Sequence, residues 1–176
     1  MPRKIVPNLW FDTQAQEAAA FSCSVFENSR VVNVARYTEA GPRPAGTVMT
    51  VEFELDGQRF VAINGGPQFT FDEAVSFAIE CETQEEIDLY WDRLSDGGEE
   101  GPCGWLKDRY GLSWQIVPSA MDEMLRNGTK EQIARVTVAF LAMKKFDLAE
   151  LQRAYAGTAT EDGAARSRCR LPSSVG

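Results

Sequence analysis

Cys103-Gly104-Trp105-Leu106-Lys107-Asp108-Arg109-Tyr110-Gly111-Leu112-Ser113-Trp114-Gln115-Ile116-Val117-Pro118 reads as a β-hairpin. An apolar strand enters, Asp108 to Gly111 turn, and an alternating strand leaves. Upstream, the order of elements leading to this hairpin occurs twice. Ile5 to Phe11 is an apolar strand with Pro7 at an edge or bulge. Ala15 to Phe26 carries apolar residues at helical spacing behind a cap at Asp12-Thr13. Arg30 to Tyr37 is a β-branched strand, and Glu39 to Gly46 a loop. Thr47 to Leu55 alternates, Asp56-Gly57 turns, and Arg59 to Asn64 returns. The pattern then restarts, with a strand over Ala74 to Cys81, a cap at Glu82-Thr83 and a helix from Gln84 to Leu94. A glycine-rich loop from Gly97 to Pro102 leads into the signature hairpin. The helix starts overlay at a shift of 70, which sets Thr13 on Thr83 and Phe21 on Trp91. Two βαβββ modules follow from this repetition.

Composition limits what such a chain can do. It has 176 residues, enough for a sizeable core, and ordinary fractions of apolar (44%) and charged (25%) residues. Its net charge of −8 opposes binding to nucleic-acid phosphates and to anionic lipid surfaces. No apolar run approaches the ~20 residues of a membrane span, and the N-terminus lacks the apolar core of a signal peptide. A cytoplasmic location is the expectation. Cys23, Cys81, Cys103 and Cys169 are widely spaced and the chain contains no histidine, so neither a Cys-x-x-Cys nor a mixed Cys/His zinc site can be built. Reduced, buried thiols are expected.

Beyond Pro118 the pattern turns helical. Ser119 caps Ala120 to Arg126, Thr129 and Gln132 form a capping box for a helix through Met143, and Asp147 starts a third helix. Gly157 to Gly176 reads as a flexible tail.

Pro7-Asn8-Leu9-Trp10-Phe11-Asp12, Phe60-Val61-Ala62-Ile63-Asn64-Gly65-Gly66-Pro67, Ala74-Val75-Ser76-Phe77, Tyr90-Trp91 and the hairpin resemble the PhnB-like branch of the glyoxalase/vicinal-oxygen-chelate superfamily over roughly residues 4 to 156. The resemblance implies an α+β fold of paired βαβββ modules with a helical C-terminal extension. The modules fall at about 4–66 and 70–118 in a single domain over 1–156, with helices over 119–156 and the tail over 157–176. It also implies a homodimer, with a cupped cavity in each sheet half. In metal-using relatives a divalent ion sits on inward-facing strand positions. Carried over, those positions fall near Asn8, on Ala62 or Asn64, on Ser76 and on Gln115. All are neutral here, and neutral amides and hydroxyls compete poorly for a cation's hydration shell, so no tight transition metal is expected. A weak magnesium or calcium site would need Glu52, Glu54, Glu80 or Glu82 to point inward.

The resemblance therefore implies a small-molecule-binding protein of unknown substrate, with Asn8, Asn64, Ser76 and Gln115 as ligand contacts and no catalytic residue assigned. One alternative is an enzyme, either metal-assisted or a 3-demethylubiquinone 3-methyltransferase as much of the family is labelled. The first strand runs into Asp12-Thr13-Gln14-Ala15, without the glycine loop typical of a methyltransferase. Another alternative is an interaction or sequestering protein whose cavity is filled by core side chains. Cys103 lacks a histidine to activate it and reads as a small buried residue. Alternation puts Trp114 opposite Gln115, hence in core or interface packing.

Overall fold

The computed structural model describes residues 4–158 and divides into two compact units, Met1–Asp72 and Glu73–Gly176. The first holds β1 (Asn8–Phe11), α1 (Ala15–Val25), β2 (Arg30–Arg36), β3 (Val48–Leu55) and β4 (Gln58–Asn64). The second repeats the order with β5 (Phe77–Cys81), α2 (Gln84–Ser95), β6 (Glu99–Glu100), β7 (Trp105–Lys107) and β8 (Ser113–Pro118). The two sheets share one topology. They run β1-β4-β3-β2 and β5-β8-β7-β6, and in each the first strand lies parallel to the last while the other pairs are antiparallel. These are the paired βαβββ modules expected from the repeated pattern.

In the first unit, parity along the strands separates two faces. Val51, Phe53, Phe60 and Ala62 alternate onto a buried face, joined by Leu9 and Phe11 of β1. Asn64 shares that parity, and its Oδ1 accepts from the Ala15 amide at 2.8 Å, which sets the start of α1 over the same face. Full burial of each such large apolar side chain stabilises the unit by about 1.5–3 kcal/mol before entropy is subtracted. The opposite face carries Glu52, Glu54 and Arg59, with ion pairs Arg59–Glu52 (2.8 Å) and Arg30–Glu54 (2.9 Å).

The start of α1 differs from the sequence reading. The N-cap is Gln14, not Asp12-Thr13, and it makes no side-chain cap bond. Asn64, about 50 residues downstream, supplies the acceptor instead (|i−j| = 49). The helix starts consequently overlay Gln14 on Thr83, one residue off the 70-residue shift, and Trp91 falls on Ser22 rather than Phe21.

In the second unit Leu106, Trp114 and Ile116 are buried on one face. Trp91 of α2 donates its indole N–H to Glu100, the register partner of Leu106, which places α2 on that side. Strand β5 is shorter than expected, with Phe77↔Trp114 as its first rung. Ala74, Val75 and Ser76 precede the strand. Within the expected Gly97-to-Pro102 loop, Glu99-Glu100 forms a two-residue edge strand on β7.

The three further helices are α3 (Ser119–Asn127), α4 (Lys130–Leu141) and α5 (Leu148–Ala156). Met121, Val136, Phe146 and Leu151 form their core, with Val117 and Cys103 packed against it. Thr129 and Gln132 make the expected capping box, and Asp147 caps α5 through the Glu150 amide. Ser119 is not a cap. It is the first helical residue, and its hydroxyl donates to the Cys81 carbonyl.

Gln84 ties this extension to α2. Its amide donates to the Phe146 carbonyl at 3.0 Å and accepts from the Leu148 amide at 2.8 Å. Gln84→Ala removes both and is expected to cost about 1–2 kcal/mol at roughly 1 kcal/mol per hydrogen bond. Urea unfolding checks this, and an unchanged midpoint would show that the clamp is idle. Of the tail expected over 157–176, residues from 159 on lie outside the described residues, as does Cys169. Among the described residues no helix is long and apolar enough to cross a membrane.

Candidate functional site

The face of the second sheet turned away from α2 is built by the other parity of the same strands. Trp105 pairs with Gln115 and Lys107 with Ser113 across β7 and β8; Glu99 pairs with Lys107 across β6, and Ala78 with Gln115 across β5. The hairpin turn sets this register. The Gly111 amide donates to the Asp108 carbonyl at 2.8 Å, and Gly111 takes φ +83°, which a glycine adopts at little cost.

Asp108 organises the turn. One carboxylate oxygen accepts from the Tyr110 and Leu112 amides, and the other from the Trp114 indole N–H at 3.0 Å. Trp114 is thereby fixed on the buried face, stacked obliquely near Phe77, and Gln115 points to the opposite one. Burial pushes the Asp108 carboxyl above its ordinary pKa, a rise that the bonds from Trp114, Tyr110 and Leu112 and the charge of Arg109 only partly offset.

On the open face a cleft of about 340 Å³ is lined by Glu73, Glu99, Pro102, Cys103, Trp105 and Lys107, among others. Lys107 Nζ lies 2.6 Å from Glu73 and holds that carboxyl below its usual pKa. Beside the cleft, on the same face, Gln115 donates through Nε2 to the Ser76 hydroxyl at 2.8 Å.

Ser76 and Gln115, both anticipated, are thus brought together. Asn8 and Asn64 belong to the first unit. Asn8 is exposed on the face opposite α1 and donates to the Val6 carbonyl. Asn64 is buried at 5% exposure, and its amide is committed on both sides, accepting from Ala15 and donating to the Val48 carbonyl at 3.1 Å. The sequence offers Trp105 and Trp114 alike as cross-sheet packing or as an aromatic wall for a ligand; the structure puts Trp105 at the cleft and Trp114 in the core, and adds Lys107 and Glu73. Trp105 could have been found by parity, since it pairs directly with Gln115. The Lys107–Glu73 pair spans a loop and has no local signal.

Cys81 is fully buried, and burial raises its thiol pKa to about 12; Cys23 is raised for the same reason. Neither is a thiolate at neutral pH. Cys103 borders the cleft with its backbone amide held by the Met143 carbonyl at 2.8 Å.

The family model described as 3-demethylubiquinone-9 3-methyltransferase matches residues 3–117, all of both modules but the final residue of β8. The chain belongs to the 3-demethylubiquinone-9 3-methyltransferase family. A solved structure from Bacillus cereus, described as a putative 3-demethylubiquinone-9 3-methyltransferase and PhnB protein, is 38% identical. That alignment covers 66% of this chain and 100% of that one, with a TM-score of 0.60. PA1353 from Pseudomonas aeruginosa, at 17% identity, 66% and 98% coverage and a TM-score of 0.55, shares the fold. No curated protein matches. This PhnB-like family has the glyoxalase/vicinal-oxygen-chelate fold, and helices α3 to α5 lie beyond the matched residues.

The residues present fit neither of two groups that the family resemblance implies, a divalent metal and a nucleoside methyl donor. A divalent metal would need anionic or imidazole donors. Asn8, Ser76 and Gln115 are neutral, and Asn64 already spends its amide oxygen on α1. Glu52 and Glu54 do lie on the open side of the first sheet, each paired to an arginine. Among the described residues no three Cys, Asp or Glu side chains converge as a metal site would require. These residues do not fit a tightly held metal. A nucleoside methyl donor held in the usual way needs a glycine-rich turn at the C-terminal end of a parallel strand. β1 instead runs through Asp12 to Gln14 into α1, with none of these residues a glycine, and both sheets are mixed.

Proposed function

We propose that this PhnB-like protein binds a small organic molecule on the open face of its second sheet, without a tight transition metal, and works as a homodimer. The observation that carries the reading is the hydrogen-bonded Ser76–Gln115 pair standing on the same sheet face as the cleft walled by Trp105. A concave, largely apolar wall with a few converging polar groups is the usual make-up of a small-molecule site. Gln115 keeps its amide oxygen as an acceptor and Ser76 its hydroxyl hydrogen as a donor, so the pair can read a ligand group that both gives and takes a hydrogen bond. Trp105 offers a flat surface beside them. Asn8 is the first unit's candidate contact, and Asn64 serves by seating α1.

The test is a fragment screen by ligand-observed NMR. Binders are expected whose affinity falls about fivefold to tenfold in Gln115→Ala, the worth of one hydrogen bond, with the urea midpoint little changed. Trp105→Ala should remove binding. Fragments that bind both variants as well as wild type would sink the assignment. Native mass spectrometry reports the oligomer, and a monomer at micromolar concentration would refute the dimer.

A further inference from the structure

The charge pattern of this cleft points to the class of molecule it takes, an inference that rests on the site proposed above. The walls Pro102 and Trp105 are apolar, while the charged side chains on the open face are two carboxylates, Glu73 and Glu99, against one ammonium, Lys107; Glu100, which also borders the cleft, shares the parity of buried Leu106 and turns to α2. Lys107 is neutralised by Glu73 at 2.6 Å. Glu100 is held by Lys144 at 3.5 Å and by the Trp91 indole N–H. Arg109, the other cation of the hairpin, is turned to Asp96. Glu99 is left: among the described residues it takes part in no salt bridge, and it shares a rung with Lys107 on the open face. The cleft therefore presents a net negative rim over an aromatic wall. An anionic ligand would meet no uncompensated cation there and would face repulsion from Glu99. A cation gains twice, from Glu99 and from the ring face of Trp105. The volume, about 340 Å³, is at the small end of ligand pockets and suits a compact molecule.

We infer that the cleft binds a small protonated amine with a flat apolar body, the ring lying against Trp105 and the ammonium at Glu99. Three probes of nearly equal shape separate this from its rivals: phenethylamine, 2-phenylethanol and 3-phenylpropionate, titrated by calorimetry at neutral pH and low salt. The amine is expected to bind about tenfold or more tightly than the alcohol, and the acid more weakly still. Glu99→Gln, an exposed and conservative change, should abolish the amine's advantage and leave the alcohol's affinity unchanged. Raising the salt concentration should narrow the gap as the exposed charge is screened. Alcohol or acid binding as tightly as the amine would overturn the charge class and leave the site standing. An amine preference that survives Glu99→Gln would overturn the assigned carboxylate. No binding by any of the three would overturn both this inference and the site on which it rests.

Discussion

Gly65→Ala is expected to destabilise the first unit by about 3 kcal/mol, near the upper end for overpacking a filled site. A Cβ at Gly65 would lie 2.1 Å from Trp10 Cζ2 and 2.2 Å from Cη2. The ring cannot easily retreat. Its Nε1 donates to the Gly66 carbonyl at 2.8 Å, and it packs edge-to-face on Phe69 at 5.2 Å between centroids. Both glycine amides also donate to the Phe11 carbonyl, which holds the backbone in place beneath it. Urea unfolding with a shared m-value measures the loss. Trp10→Ala should cost stability alone yet make the glycine change nearly harmless in the double variant, a non-additivity that only a direct clash produces. A single variant within 0.5 kcal/mol of wild type would show that the strand end relaxes.

Asp108→Ala is expected to cost a similar amount, about 3 kcal/mol, because it leaves the Tyr110 and Leu112 amides and the buried Trp114 indole without their acceptor. Asp108→Asn should cost less, since its amide oxygen can still serve two backbone donors while its NH2 confronts the indole N–H. The two variants also differ from wild type in pH dependence. Burial raises the Asp108 pKa in the fold above its ordinary 3.8. The stabilisation linked to its proton is therefore fully present below 3.8 and is lost as pH rises through the folded value. Asp108→Asn has no such proton, so its deficit against wild type should be larger at about pH 4 than at pH 7. A deficit that instead grew toward neutral pH would mean that the carboxylate's hydrogen bonds outweigh its desolvation.

The contrast between Thr129 and Asn64 shows where sequence reading reached and where it stopped. Thr129 with Gln132, Asp147 with Glu150 and Thr83 with Glu86 are caps made within four residues, so their chemistry is visible as spacing. The cap of α1 comes from Asn64 through the parallel pairing of β1 and β4, and nothing near Gln14 announces it. The same distinction separates the site residues. Gln115 was placed because Asp108 to Gly111 fixes a register and alternation carries it four residues further. Ser76 falls within the expected strand but precedes β5, whose first rung is Phe77↔Trp114, and it meets Gln115 through a side-chain hydrogen bond instead of a strand rung.

By itself the sequence determined the two-module α+β architecture, the turn at the signature hairpin, the face on which Gln115 stands and the lack of imidazole for a metal. Each of these depends on local period, turn chemistry or residue type. Only the tertiary structure decided that Asn64 serves a helix, that Ser76 meets Gln115, that Lys107 is spent on Glu73, and that Glu99 remains on the rim of the cleft. Those facts depend on which chain segments meet across a sheet and which charges find partners, and pairings between distant segments leave no period in the chain to read.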